Sequence, residues 1–353
     1  MAKLNLGLLV LVLVVGNVAG CKPSIEADLS PNGRTAAITR DRGLLFRDTS
    51  GQASDRLVSL KGPESPVYSP DGKWVVVASG KKTYLVEEST GYLSLIPSIS
   101  PPYAWKPDSS ELCGTRANQA VVVHVASKEV CRTYALPENP EHAIWLGTQR
   151  DLAFTRGHRL HVVTNGKVQS LNVDGSITSI AQKEKSQTIV LTEMFVRSQP
   201  KSIPASEVRI EEVPVDLKDP PKQIWTALDK ESLDIKDRFC ITVASLVSPD
   251  GARVANVGFV DQSEPGLLKK FEALGGFDET ITDAKLKKRL QALQKQMHFA
   301  AVVTCRELGP SVGPPVKLLK QKSDQLTDSF FWSKDSRKFG VFLGEKLVLL
   351  PIP

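Results

Sequence analysis

The sequence of 353 residues lacks the common catalytic motifs. It contains no G-x-S-x-G nucleophile elbow, no H-E-x-x-H helix and no phosphate-binding P-loop, so the signatures of α/β-hydrolases, zinc peptidases and NTPases are missing. It has five histidines and five cysteines, and no two cysteines have the C-x-x-C spacing of many zinc sites. We therefore expect no catalytic residue, no metal site and no cofactor.

A strong charge of one sign is also absent. The net charge is +6, and charged residues make up 24% of the chain. No basic stripe of the kind that binds nucleic acid is visible, so we expect no nucleic-acid partner. The hydrophobic fraction of 41% is ordinary for a soluble globular protein and argues against several membrane spans.

The N-terminus has the three parts of an export signal. Lys3 precedes an apolar run from Leu4 to Val15, and small residues then lead to Cys21. The run is too short for a membrane span, which needs about 20 residues. Ala19 and Gly20 before the cysteine resemble the lipobox of bacterial lipoproteins, which implies cleavage between Gly20 and Cys21 and acylation of Cys21. The alternative is an ordinary signal peptide with a chance cysteine.

This pattern predicts a signal peptide at residues 1–20, a lipid-anchored tether at 21–27 and a folded domain at 28–353. The resemblance to lipoproteins implies an exported protein held by its lipid in a bacterial membrane. Since Lys22 rather than Asp follows the cysteine, the outer membrane facing the periplasm is the favoured location, with the cell surface as another.

Four cysteines remain in the domain, and an exported protein is permitted disulfides. Cys113 and Cys131 fall on the second and fourth strands of one predicted sheet, and Cys240 and Cys305 on the first and third of another. One intervening strand separates the members of each pair by roughly 9 to 10 Å, which exceeds the usual disulfide span. We expect four buried free thiols, with disulfides as the alternative.

A turn motif recurs four times at intervals of 39, 37 and 41 residues, the period of propeller blades, and then twice more at wider spacing. The turns are Ser30-Pro31-Asn32-Gly33, Ser69-Pro70-Asp71-Gly72, Lys106-Pro107-Asp108-Ser109, a degenerate Gly147-Thr148-Gln149-Arg150, Ser248-Pro249-Asp250-Gly251 and Ser333-Lys334-Asp335-Ser336. Each is flanked by short β-type runs, and four such runs make a sheet. The pattern predicts an all-β propeller with seven blades of mostly four antiparallel strands, the last with three unless a stretch near the N-terminus completes it.

One segment interrupts the sixth blade with a helical period. Between residues 264 and 297, Leu286, Leu290, Leu293 and Met297 share one helix face, and Thr282-Asp283 is a plausible cap. Its second helix carries five basic residues, Lys285, Lys287, Lys288, Arg289 and Lys295. They are candidates for binding an acidic partner or a membrane surface. The alternative is that the apolar stripe packs on the propeller rim while the charges are solvated.

Ser-Pro-Asp-Gly turns preceded by an aromatic at Tyr68, Trp105 or Trp332 are similar to the repeat of TolB-type β-propellers, a WD-like family of bacterial envelopes. That resemblance implies an interaction platform. The repeated aspartates Asp71, Asp108, Asp250 and Asp335 have a structural explanation, since Asp stabilises turns through its own backbone. His158 and His161 are three apart on one predicted strand and would face opposite ways.

Two functions fit these observations. The first is a non-enzymatic envelope lipoprotein that binds an unknown protein or envelope component through its loops or helical insertion. The alternative is an enzyme in the central channel, a hydrolase or lyase acting on a sugar, lactone or peptide. The enzyme requires acid, base or metal groups on the innermost strands, which are predicted to be mostly apolar or aromatic.

Overall fold

The computed structural model describes residues 25–147, 151–183, 186–197, 205–235, 240–264, 266–274, 282–294, 296–308, 314–322, 326–343 and 346–353. In these ranges the chain forms seven antiparallel sheets, each built from strands that are consecutive in sequence. Six sheets have four strands and the seventh has three. The prediction of a seven-bladed, all-β propeller is therefore confirmed.

Each blade occupies one contiguous stretch of the chain. The first blade comprises β1 (Ala27–Leu29), β2 (Thr35–Arg40), β3 (Gly43–Asp48) and β4 (Arg56–Ser59), and the second comprises β5 (Pro63–Tyr68), β6 (Trp74–Ser79), β7 (Lys82–Glu87) and β8 (Leu93–Ile96). The third comprises β9 (Ser100–Trp105), β10 (Glu111–Thr115), β11 (Gln119–His124) and β12 (Glu129–Ala135), and the fourth comprises β13 (His142–Leu146), β14 (Asp151–Arg156), β15 (Arg159–Thr164) and β16 (Lys167–Asn172). The fifth blade comprises β17 (Ser176–Gln182), β18 (Thr188–Arg197), β19 (Ala205–Pro214) and β20 (Lys222–Leu228). The sixth comprises β21 (Cys240–Val247), β22 (Arg253–Asp261), β23 (Phe299–Glu307) and β24 (Val316–Lys322). The seventh comprises β25 (Leu326–Trp332), β26 (Lys338–Leu343) and β27 (Lys346–Pro351).

Three helices accompany the strands. The short α1 (Asp229–Ser232) links the fifth and sixth blades, and α2 (Leu267–Ala273) and α3 (Ala284–Gln294) lie between β22 and β23. The helical insertion is thus in the sixth blade, as predicted. We refer to α2 and α3 together as the helical arm.

Adjacent blades pack face to face, and a cluster of buried apolar side chains fills each of the seven contacts between them. Between the first two blades, for example, Ala37 and Phe46 pack against Tyr68 and Val77. The first strands of neighbouring blades contact one another, including β1 and β25. These strands therefore surround the axis of the ring.

The ring closes through side chains between the seventh and first blades, and no strand is shared between these blades among the described residues. Phe342 is fully buried in a cluster with Leu29 and Ile38. Lys338 Nζ also donates to the carbonyl oxygen of Gly33 across 3.3 Å. Closure therefore rests on face packing between the first and last blades.

The recurrent turns are held by their own side chains. In the second blade, Ser69 Oγ donates to Asp71 Oδ1 across 2.6 Å and accepts the Trp74 N–H across 2.9 Å. Gly72 closes the turn with φ at +74°, a left-handed conformation that costs glycine little. The same pattern recurs at Ser248 and Ser333, so the motif specifies the connection from the first strand to the second.

The degenerate turn of the fourth blade begins one residue earlier than its sequence indicates. Trp145 pairs with Leu152 in the same way that Trp105 pairs with Leu112. Trp145, and not Leu146, therefore occupies the aromatic position before the turn. The expected turn starting at Gly147 was out of register because that segment lacks the Ser-Pro-Asp-Gly pattern, and residues 148–150 lie outside the described ranges.

Four free thiols were expected to be buried, and three of them are. Cys113, Cys240 and Cys305 are buried, whereas Cys131 is exposed, and no disulfide joins any of the four. The prediction was wrong for Cys131 because β12 is the outermost strand of its blade, where most side chains reach solvent. Burial raises the pKa of the Cys113 thiol to about 12, so this thiol is protonated at neutral pH.

The two faces of the ring carry different connections. Successive strands of a blade run in opposite directions, so the connections alternate between the faces. We call the face with the first-to-second and third-to-fourth strand connections the turn face. The second-to-third strand connections and the links between blades lie on the other, which we call the insertion face because the helical arm emerges there.

Candidate functional site

The channel opens on the insertion face into a cavity of about 320 Å³. Segments of the first, second and seventh blades line it with Ile25, Glu26, Ala27, Ser65, Pro66, Ser329 and Phe330. Glu26 is the ionisable residue among them, and its carboxylate accepts the backbone N–H of Ser65. Ser65 lies at a bulge in β5 with φ at +51°. Glu26 thus holds this bulge, and the lining offers no second acid or base beside it.

The helical arm is the second feature of the insertion face. Leu267, Phe271 and Met297 are buried together, and Leu290 and Leu293 of α3 pack against them. Phe299, the first residue of β23, completes the contact with the blade. The two helices therefore bury their apolar stripes mainly against each other at the base of the arm.

Asp283 begins α3 as its N-cap, as predicted. Its Oδ1 accepts the backbone N–H groups of Lys285 and Leu286 across 2.7 and 3.0 Å. The base of the arm is also fixed, because Gln262 N–H donates to the carbonyl oxygen of His298 across 2.7 Å. The arm consequently has a defined start and a defined attachment to the sixth blade.

The structure places four of the five basic candidates on one short helix. Lys285, Lys287, Lys288 and Arg289 are all exposed on α3, and none makes an ion pair with another described residue. Lys295 lies outside the described ranges, as do Gly20 and Cys21. The arm thus presents a cationic surface that its own fold does not use.

The repeated aspartates serve the turns. Asp71 and Asp250 accept the hydroxyl protons of the serines two residues before them. At Asp108, hydrogen bonds from the Ser110 hydroxyl and backbone lower the pKa to about 2. These carboxylates are occupied by hydrogen bonds within their own turns.

The histidines do not converge. His161 is buried, with Nδ1 2.8 Å from Ser170 Oγ, and burial lowers its pKa. His158 lies in the turn before β15 rather than on the strand that the sequence predicted. Within the described ranges, no three His, Cys, Asp or Glu side chains are grouped in a way that would hold a metal ion.

Sequence reasoning missed a buried pair of carboxyl groups between the fourth and fifth blades. Glu193 on β18 is fully buried, and its Oε2 accepts the Gly175 N–H across 2.5 Å. Glu211 lies beside it on β19, where burial and then the hydrogen bond and charge of Glu193 raise its pKa to about 7. Asp174, Glu207 and Arg209 are the neighbouring charges. No local motif marks this pair, because strand pairing alone brings the two residues together.

The propeller class is supported by solved structures. Hydrazine synthase from Kuenenia stuttgartiensis aligns with a TM-score of 0.57 at 12% identity, over 95% of this chain and 97% of that chain. The β-propeller domain of Myceliophteria thermophila Cps50 (Swd1) aligns at 0.57 and 13%, over 94% and 97%. U3-55K aligns at 0.57 and 11%, over 95% and 97%. Identities this low show a shared fold alone.

No family model and no curated protein matches the sequence. The described helices include none with the length and apolar character needed to cross a membrane. The class that the fold defines is a seven-bladed β-propeller, a fold that serves enzymes and non-enzymes alike.

Proposed function

We propose that this protein is a lipid-anchored, non-enzymatic binding propeller of a bacterial envelope, similar to the TolB type, which binds an acidic partner through its insertion face. The partner is a protein or another envelope component. The observation that carries the proposal is the helical arm, whose apolar residues are used in its own packing while four cationic side chains remain exposed. A surface with this charge and no structural role is typical of a docking site.

The channel favours binding over catalysis. General acid–base catalysis requires titratable groups within hydrogen-bonding reach of a substrate. In the cavity at the channel mouth, Glu26 is the one titratable side chain in the lining, and it is held by the bulged backbone at Ser65. The geometry of this cavity therefore suits a ligand contact better than a reaction centre.

The N-terminal pattern supports the anchor. An apolar run of signal-peptide length ends at the small residues before Cys21, which are the features that a lipoprotein signal peptidase reads. The recurrent Ser-Pro-Asp-Gly turns support the TolB-like type, since they specify the connection in the second and sixth blades.

The test is crosslinking in intact cells, followed by detergent extraction and mass spectrometry of the chain and its adducts. We expect residues 1–20 to be removed, Cys21 to be acylated, and adducts to form on α3. A K287E/K288E variant should lose these adducts, whereas K73E on the turn face should keep them. An uncut leader with a bare thiol, or the same adducts in all three proteins, would contradict the proposal.

A further inference from the structure

We infer that the acidic partner of the insertion face is an anionic phospholipid surface, and that the arm and the basic loops around the channel mouth rest on its headgroups. The inference deepens the proposed function and rests on its lipid anchor. It fixes which side of the ring faces the membrane. The turn face then points away from the bilayer.

The position of Ile25 is the first argument. Ile25 leads into β1 from the insertion face, where it lines the channel mouth and packs at the contact between the first and seventh blades. Cys21 precedes it by four residues, which span about 14 Å at most in an extended chain. An acyl chain on Cys21 would therefore hold the channel mouth of the insertion face close to the bilayer.

The charges around this point are the second argument. The sixth, seventh, first and second blades, which surround the chain entry, present exposed cations on the insertion face. They are Lys285, Lys287, Lys288 and Arg289 on the sixth blade, Lys346 on the seventh, Arg42 on the first, and Lys81 and Lys82 on the second. None of them forms an ion pair within the described part of the chain. Glu26, Asp41 and Glu64 are the acids on this face of the first two blades, and Lys61 is a further exposed cation there, so the positive excess on these two blades is small.

The far half of the same face differs. Arg156 and Arg159 of the fourth blade pair with Glu141 and Glu138 at 3.3 and 3.4 Å. Their charges are therefore satisfied within the protein. Among the described residues, Arg116 of the third blade and Lys230 of α1 also lie exposed on this face without an ion pair, so unpaired cations are more numerous around the chain entry but not confined to it.

The turn face also presents exposed cations that form no ion pair with a described residue, among them Arg34, Lys167 and Arg337. Other cations of this face lie beside carboxylates, as in Lys106 with Asp108 at 3.0 Å and Arg253 with Asp250 at 4.0 Å. A negatively charged surface attracts unpaired Lys and Arg side chains within about one Debye length, roughly 8 to 10 Å at physiological salt. The anchor would hold the cations of the insertion face near the headgroups, and those of the turn face a propeller's thickness away.

Lysine footprinting of the native lipoprotein in vesicles tests the inference. The acylated protein is reconstituted in phosphatidylcholine vesicles with and without about 30% phosphatidylglycerol, and exposed amines are acetylated and quantified by mass spectrometry. We expect acetylation of Lys81, Lys82, Lys287 and Lys288 to fall several-fold in the anionic vesicles and to recover at high salt. Lys73 and Lys167 on the turn face are the internal controls and should not change.

Matched variants show whether protection from acetylation depends on the positive charge of α3 or only on its contact with the membrane. K287E/K288E should reduce the protection of Lys81 and Lys82, whereas K287R/K288R should preserve it, because both variants keep α3 solvated and only the first reverses its charge. Equal acetylation of both faces in floating vesicles would overturn the inference while leaving the anchor intact. Protection of α3 in cells without protection in vesicles would also overturn it, in favour of an acidic protein. Failure to float, with an unacylated Cys21, would instead remove the proposed function itself.

Discussion

At the scale of single residues, the propeller is held by tryptophans that reach back to the preceding blade. The indole N–H of Trp105 donates to Val67 O across 3.1 Å, that of Trp145 to Ala104 O across 2.8 Å, and that of Trp332 to Leu246 O across 3.0 Å. Each acceptor lies one position before the equivalent residue of the preceding blade. The aromatic before the turn therefore sets both the packing and the axial position of adjacent blades.

Trp105→Phe should lower the free energy of unfolding by about 1 to 2 kcal/mol, because it removes this bond and leaves the Val67 carbonyl without its donor. Chemical denaturation measures the loss. Trp74→Phe is the control, since Trp74 packs against the same apolar cluster and its indole makes no hydrogen bond to a described residue. Equal losses in the two variants would show that ring volume, and not the hydrogen bond, is what matters.

The buried pair Glu193 and Glu211 makes stability depend on pH. The pKa of Glu211 is raised to about 7 in the folded protein, above its unfolded value of about 4.3. The folded state therefore binds the proton more tightly, so this contribution is complete at low pH and is lost as pH rises toward 7.

Glu211→Gln should therefore raise the denaturation midpoint at about pH 8 and change it little at about pH 4. Glu212→Gln is the matched control, because Glu212 is the next residue and pairs with Lys183 at 2.7 Å. It should give no gain at the higher pH. An equal change in the midpoint at both pH values would contradict the raised pKa of Glu211.

At the scale of elements, the sequence predicted whether a segment is a strand or a helix better than it predicted the residue at which each turn begins. Turn residues, together with apolar residues that repeat with a period of two in strands and 3.6 in helices, predict the strands of all seven blades and the position of the arm. These are local signals. The fourth turn was displaced by one residue because Trp145 and Leu146 are both apolar and no Ser-Pro-Asp-Gly motif chooses between them. The sequence placed Cys131 on the fourth strand correctly, but its exposure follows from the outermost position of that strand, where few side chains are covered by a neighbouring blade.

The N-cap of α3 provides a local test of the arm. Asp283→Ala should destabilise α3 by about 1 kcal/mol, because two backbone N–H groups lose their acceptor. Hydrogen exchange across residues 284–294 should accelerate while that of β22 and β23 is unchanged. Asp283→Asn keeps an acceptor and should restore slow exchange. If Asp283→Ala instead weakened the whole sixth blade, the arm would be part of the blade's core.

At the scale of the whole molecule, opposite faces of one strand hold two different contacts. On β26, Phe342 is buried against the first blade, and Phe339 is buried against the sixth. Both are fully buried. Substitutions of these two residues therefore compare the stability of the closing contact with that of an ordinary contact between blades.

Phe342→Ala and Phe339→Ala should each cost about 3 to 5 kcal/mol through the cavity that they leave. Hydrogen exchange should rise in β1 and β2 for the first variant and in β22 and β23 for the second. Loss of protection in β1 with both variants alike would mean that the ring opens as one unit and that the closing contact has no separate stability.

The candidate site was predictable only in part. The basic residues of α3 are adjacent in sequence and were found there. The cations of the first, second and seventh blades were missed, because Arg42, Lys81 and Lys346 are far apart in the chain. They lie on one face only because each is at the connection between the second and third strands of its blade. The same limit hid Glu193 and Glu211, whose interaction depends on pairing between β18 and β19.

Since Lys338 contacts a partner 305 positions earlier in the chain, the first blade must wait for almost the entire polypeptide before its outer apolar side is covered. During synthesis, Leu29, Ala36 and Ile38 would face water or a chaperone until the final strands are made. A truncation near the C-terminus should consequently leave an apolar face of the first blade exposed and prone to aggregate. The structural effect would then appear near the N-terminus, far in sequence from the truncation.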